Sequence, residues 1–309
     1  MEIKKSDKIY VAGHLGLVGS AIVRNLKSKG YKKIITATRK KIDLMNQKKT
    51  LNFLRKTKPK FIFIAAAQVG GINANNIFKA TFIYNNLTIQ NNLINGAYQA
   101  GVKKLIFLGS SCVYPKECKQ PIKEDYLLTG PLEKTNEPYA VAKIAGIKLC
   151  ESYNHQYKTD FLSIMPCNTY GPEDNYNLNT SHFLPALLKK IHKIKKKKET
   201  KLNLWGTGKP KREFIYVDDL ADACVFFMNK KTKEKVINIG SGKDKSIYEI
   251  SKLVLKILNV KAKINFDKSK PDGTKRKLLD ISVAKKYGWR PKTSFKNGIL
   301  NAYISFEKN

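Results

Sequence analysis

Lys8-Ile9-Tyr10-Val11-Ala12-Gly13-His14-Leu15-Gly16-Leu17-Val18-Gly19 runs from a short apolar strand through evenly spaced glycines, and a helix-period pattern follows on Ala21, Ile22, Val23 and Leu26 until Gly30. Strand, glycine turn, helix is the setting in which such a run cradles phosphate. Gly13 permits the tight turn, Gly16 lets backbone approach a pyrophosphate, and Gly19 lets helix pack on strand. The helix start adds free N–H groups and the positive end of its dipole. A purely structural turn would show the same glycines, so the weight falls on the rest of the chain.

Residues 34–38 predict a second strand, which stops at Arg39-Lys40-Lys41. In a dinucleotide-binding unit an acidic residue here bonds the adenosine ribose, whereas a guanidinium suits a 2′-phosphate. Arg39 therefore points to NADP(H), a solvated basic turn being the plain alternative, and Asp43-Leu44 just beyond can meet the adenine edge. Residues 61–66 predict a buried strand ending in Ala66-Ala67-Gln68-Val69-Gly70-Gly71, small residues that leave room for a cofactor at the sheet crevice. A helix over about 85–100 and a strand over 104–108 follow, and the strand stops at Gly109-Ser110-Ser111-Cys112-Val113-Tyr114-Pro115. Residues 161–165 form another strand, closed by Pro166-Cys167-Asn168-Thr169-Tyr170-Gly171-Pro172. Strands alternating with helices predict an α/β fold, a doubly wound parallel sheet of Rossmann type.

Beyond Gly171 the pattern changes. An Asn-rich stretch over 174–181, a helix over about 182–195 and a lysine run at 195–198 predict an inserted lobe. Short strands are expected at 202–205, 214–217 and 236–239, and helices at about 218–229, 246–258 and 295–306. The expected division is therefore 1–170 with 214–240 as an NADP-binding unit, and 171–213 with 241–309 as a smaller mixed α/β substrate lobe.

Tyr139-Ala140-Val141-Ala142-Lys143 supplies the chemistry. A tyrosine and a lysine four apart share one helix face. The ammonium is expected to stabilise the phenolate and lower a phenol pKa that is ordinarily about 10. A phenol tuned in this way exchanges a proton with a carbonyl or alcohol. Hydroxyls at the end of the 104–108 strand, Ser110 first, reach the same substrate oxygen. Alone, such a pair more often covers a surface; upstream of it here lies a nucleotide-binding unit.

Composition narrows the class further. The chain of 309 residues carries a net charge of +35, mostly lysine spread over every segment, which fits a general bias better than dedicated nucleic-acid binding. The positive field still favours encounter with an anionic substrate. No apolar run approaches the roughly 18 residues of a membrane span. Five cysteines without a CxxC pair or regular framework argue for reduced thiols in a cytoplasmic setting rather than disulfides or a metal.

Taken together, AGHLGLVGSAI (12–22), AAAQVGGINANN (65–76), FLGSSCVYPK (107–116), NEPYAVAKIAGIKLCESYN (136–154) and SKPDGTKRKLLD (269–280) resemble the extended short-chain dehydrogenase/reductases over nearly the whole chain. They are more similar to the branch that epimerises GDP-4-keto-6-deoxy-D-mannose at C3 and C5 and reduces it at C4. The resemblance implies a reductase triad of Ser110, Tyr139 and Lys143, with Tyr139 the proton donor. It implies Cys112 as the base and His182 as the acid of epimerisation. Gly13, Gly16, Leu17, Val18 and Gly19 would hold the cofactor diphosphate, with Arg39, Asp43 and Leu44 at the adenosine end. Lys143, Pro166, Asn168, Thr169 and His182 would line its nicotinamide end. Lys190, Trp205, Arg212 and Asp272 would hold the GDP-sugar. A homodimer paired through helices 85–100 and 143–157 is likewise implied.

Two positions depart from that family's pattern: Leu15 stands where arginine is common, and Lys190 where some members carry arginine. The nearest alternative is another NAD(P)-dependent nucleotide-sugar epimerase or dehydratase. A dehydratase would place an acidic residue directly after the Gly-Ser-Ser run, and Cys112 occupies that place.

Overall fold

Runs such as 61–64 and 105–108 have no polar face to turn to water, and the fold buries both of their sides. A computed structural model describes residues 3–270 and 272–308; Met1, Glu2, Pro271 and Asn309, at the ends of the expected ranges and within SKPDGTKRKLLD, lie outside the described residues. In chain order, β1 (Lys8–Ala12) leads to α1 (Leu17–Ser28), β2 (Lys33–Ile35), α2 (Gln47–Thr57) and β3 (Phe61–Ile64). Next come α3 (Ile72–Ile77), α4 (Lys79–Gln99), β4 (Lys104–Leu108), α5 (Glu137–Tyr157) and β5 (Phe161–Pro166). Then follow β6 (Asn168–Tyr170), α6 (Phe183–Lys197), β7 (Lys201–Trp205), β8 (Lys211–Tyr216), α7 (Val217–Asn229) and β9 (Val236–Ile239). The last elements are β10 (Asp244–Ser246), α8 (Ile247–Ile257), β11 (Lys263–Asp267), β12 (Arg276–Lys277), α9 (Ser282–Lys286) and α10 (Phe295–Lys308).

Six parallel strands form the main sheet in the order β2-β1-β3-β4-β5-β9, flanked by helices. This is the doubly wound α/β sheet that the alternation predicts. β2 is shorter than the expected 34–38, because as the edge strand it pairs only with β1, from Lys33 to Ile35. Among the described residues no helix is long and apolar enough to cross a membrane.

A second core gathers around α6. Leu184, Leu187, Leu188, Ile191 and Ile194 repeat at helical spacing and are all buried, against Leu202, Phe214, Ile250 and Ile299. Each such side chain contributes roughly 2 kcal/mol by leaving water, which holds the helix although its outer face is lysine-rich.

The two units interleave more than the sequence suggests. Phe214–Tyr216, expected beside the main sheet, belong to β8, which pairs with β6, β10 and β12. Their rings join the second core. Conversely, Leu279, Ile281, Ala284 and Trp289, expected in the lobe, pack into the first. The cause is strand pairing: β9, the last strand of the main sheet, pairs with β5, and β8 makes its ladders in the second sheet.

Candidate active site

The glycine turn meets the steric demand its spacing implies. Gly13 adopts φ +86°, and a Cβ on it would lie 2.6 Å from the Ala66 nitrogen after β3. A Cβ on Gly19 would collide with the Gly13 carbonyl, so α1 starts flat against the turn. Gly16 caps α1 without a side chain, and the first turn, opened by Leu17 and Val18, holds no acidic residue. Its N–H groups and dipole are left for an anion. Arg39 is exposed in the turn after β2. Asp43 is held in a local turn by the Met45 N–H at 3.1 Å, and the Leu44 carbonyl accepts from Asn92 of α4 at 2.8 Å. This cradle fits the diphosphate and 2′-phosphate of NADP(H).

The residues expected to form the reductase triad, with Cys112, meet where β4 and α5 converge. Ser110 follows β4, and its hydroxyl accepts from the Cys112 N–H at 3.3 Å, closing one tight turn over Ser111–Val113. Tyr139 lies in the first turn of α5 and Lys143 one turn later. Lys143 is 3 % exposed; its ammonium donates to the Leu108 carbonyl at 2.7 Å and stands 5.8 Å from the Tyr139 ring centre. Burial drives its pKa down to about 8, with a nearby Cys112 charge opposing.

The expectation that Lys143 lowers the Tyr139 pKa is not met. Burial pushes the phenol up, Cys112 adds to the rise, and a hydrogen bond with Ser110 only partly opposes it. Losing water costs the phenolate more than an ammonium already engaged by a carbonyl returns. Burial likewise raises the Cys112 thiol, while Lys277, the Ser110 hydroxyl and Lys143 act to lower it.

His182 caps α6 at its N-terminus. The Gly71 N–H donates to the Thr180 carbonyl at 2.8 Å, and a Cβ on Gly71 would collide with the Ser181 carbonyl. The loop after β3 thus docks against the residues just before His182. Phe82 lies beside that loop at Gly70 and meets Tyr139 edge-on, ring centres 6.4 Å apart. The His182 residue is exposed, yet the protein packed around its ring pushes its pKa down.

The expected sugar-nucleotide residues gather on the lobe. Lys190 of α6 donates to the Asn203 carbonyl of β7 at 2.8 Å, and Trp205, 56 % exposed, ends that strand. Asp272 accepts from the Thr207 N–H and hydroxyl, both at 2.7 Å. Arg212 on β8 is lowered by burial, with Asp272 and Glu133 opposing. Pro166 ends β5; Asn168 donates to the Glu213 carbonyl at 2.9 Å and Thr169 to the Cys167 carbonyl at 3.2 Å, linking main sheet to lobe.

Sequence reasoning missed Lys277. It sits on β12 in register with Arg212, half-buried, within electrostatic reach of Cys112, Arg212, Glu133 and Cys118. Its stretch, SKPDGTKRKLLD, is visible in the sequence, but which of its three lysines turns inward follows only from the β12–β8 ladder. Among the described residues no group of three or more His, Cys, Asp or Glu could hold a metal ion.

Comparison with known proteins bears on the family and the fold. The model of the NAD dependent epimerase/dehydratase family matches residues 9–240. The GDP-L-fucose synthase of Sinorhizobium fredii is 50% identical over 309 residues, which is 100% of this chain and 98% of that protein. The structure of a GDP-L-fucose synthetase from Naegleria fowleri bound to NADP superposes with a TM-score of 0.92 at 30% identity, covering 100% of this chain and 95% of that one. The GDP-mannoheptose C4 reductase of Campylobacter jejuni, solved with NADP bound, reaches a TM-score of 0.90 at 38% identity over 99% of both chains.

Proposed function

Because this chain belongs to the NAD dependent epimerase/dehydratase family, we propose that it converts GDP-4-keto-6-deoxy-D-mannose to GDP-L-fucose by 3,5-epimerisation and 4-reduction. The observation that carries this reading is a thiol, Cys112, within hydrogen-bond or electrostatic reach of Ser110, Tyr139 and Lys143. A reductase acting on an isolated ketone has no use for a second base. An epimerase-reductase does.

The C4 ketone acidifies the hydrogens on C3 and C5. Cys112, as thiolate, takes one of them, and the electron pair moves onto the C4 oxygen as an enolate. Ser110 and Tyr139 donate hydrogen bonds to that oxygen. His182 returns a proton to carbon from the opposite face, which inverts the centre. NADPH, when bound, supplies the hydride for C4. Tyr139 then gives its proton to the oxygen, and its raised pKa suits a donor that must arrive protonated. Lys143, held against Leu108, orients the Tyr139 end of α5.

Arg212 and Lys190 offer positive charge to the GDP diphosphate, and Trp205 an exposed ring to the base or sugar. Tyr84, Tyr98 and Tyr157 expose rings along α4 and α5, which supports pairing of two copies through these helices; light scattering at twice the chain mass is the expected result. All five cysteines are free thiols, which favours a reducing compartment such as the cytoplasm.

A second reading, a C4 reductase without epimerisation, is favoured by the similarity to the Campylobacter jejuni enzyme. Substitution separates the two. Tyr139→Phe should cut NADPH oxidation by about 10²–10⁴-fold. Cys112→Ala and His182→Ala should abolish GDP-L-fucose formation while NADPH oxidation persists on an already epimerised ketone. Unchanged rate and product stereochemistry in both variants would remove the epimerase assignment.

A further inference from the structure

A cavity of about 520 Å³ opens between β8, β10, the start of α8 and the segment leading into α10. Its floor is apolar, with Phe214, Tyr216, Ile250 and Ile281 all buried, and it lies where the two hydrophobic cores meet. Its rim is cationic: Lys243, Lys245, Lys285, Arg290 and Lys292 are all exposed there. Of the residues assigned to the nucleotide-sugar site, only Arg212 contributes to this wall.

The charge at the rim is not cancelled locally. Asp219, the single carboxylate on the lining among the described residues, is taken by the Thr293 N–H at 2.9 Å and hydroxyl at 3.0 Å. Asp244, between two of the lysines in sequence, is held by Arg276 at 2.6 and 3.2 Å. Lys292 reaches Asp222 only at 3.8 Å. Among the described residues Lys243, Lys245, Lys285 and Arg290 have no carboxylate within the 4.0 Å of an ion pair. The N-terminal end of α10, at Ser294 and Phe295, also borders the space and adds its dipole.

General lysine excess alone would cover a convex surface in the same way. It would not build an apolar concavity under the charges. The second cavity, lined by Arg55, Lys58, Lys60 and Lys103, has a comparable charge, but its remaining lining, Pro59, Gln99, Ala100 and Gly101, includes no large apolar side chain. The first has the size and lining of a small-molecule site, apolar with a few charges to fix orientation.

We propose that this cavity binds a small phosphorylated compound with a flat apolar body, the body on the Phe214–Ile250 floor and the phosphate among Lys243, Lys285 and Arg290. Among the described residues no cysteine or histidine lines it and its carboxylate is engaged, so the role assigned to it is binding. It is separate from the glycine cradle and from Tyr139, neither of which borders it.

The test is calorimetric titration of the NADPH-saturated protein with 1-naphthyl phosphate, with inorganic phosphate alongside. Saturable binding of one naphthyl phosphate per chain is expected, with inorganic phosphate at least tenfold weaker. Lys285→Glu with Arg290→Glu should weaken binding at least tenfold, as should Lys243→Glu alone, which keeps the test valid if the double variant folds poorly. Trp205→Ala, at the other site, should leave it unchanged. No saturable binding, equal binding of inorganic phosphate, or loss in Trp205→Ala with retention in the charge-reversed variants would each overturn the proposal.

Discussion

Lys143 is carried into the protein nearly without water, and its bond to Leu108 does not repay that in full. Its folded-state pKa of about 8 lies below the ordinary 10.5, so the native protein binds fewer protons than the unfolded chain between those values. The penalty is complete below pH 8 and is relieved as pH rises through that window. It amounts to something on the order of 3 kcal/mol. Lys143→Met should therefore unfold at a higher temperature than the parent at pH 7 while losing turnover; a lower melting temperature would contradict this. At Cys112 the sign is opposite. Lys277 acts to lower the thiol, so Lys277→Met should raise its pKa, slow loss of the C3 and C5 hydrogens at pH 7 at least tenfold, and restore it at higher pH. A rate independent of Lys277 at every pH would remove it from the mechanism. The Tyr139–Lys143 spacing was legible because it is local. The direction of the phenol shift was not, because burial depends on residues such as Phe82 and Phe107 that only the fold brings near.

Among the elements, the buried strands were read correctly because four or five apolar residues in a row admit few other fates. α4 was harder. It begins at Lys79, earlier than expected, and its buried face carries Asn86, Gln90 and Asn92, which blur the periodicity. Those amides hold neighbouring segments: Asn86 bonds both the N–H (2.9 Å) and the carbonyl (3.0 Å) of Gln68, and Gln90 donates to the Ala142 carbonyl of α5 at 2.6 Å. α2 escaped notice although Asn46 caps it by accepting from the Lys49 N–H at 2.9 Å; its lysine-rich face hid Thr50 and Leu54 on the buried side. The junction of Gly71 with Ser181 yields a sharper expectation. Gly71→Ala forces the 180–182 segment away and should slow epimerisation more than reduction of an already epimerised ketone. Equal slowing of both would show that His182 does not depend on that contact.

For the whole molecule, the doubly wound sheet followed from the alternation of apolar runs and helical patterns. The path of the chain between units did not. Residues 214–216 and 279–289 cross over because strand pairing outweighs position in sequence, and periodicity carries no record of which sheet a strand will join. The β12–β8 ladder brings Lys277 beside Arg212, and Lys277 is also within electrostatic reach of Cys112 after β4. The central claim is that a thiol, an imidazole and a phenol act on one carbonyl. The most direct test is turnover of GDP-4-keto-6-deoxy-D-mannose with NADPH in D₂O, followed by NMR of the product. GDP-L-fucose carrying deuterium at both C3 and C5 is the expected result. A reduced product that keeps the original configuration and its hydrogens at both carbons would contradict it.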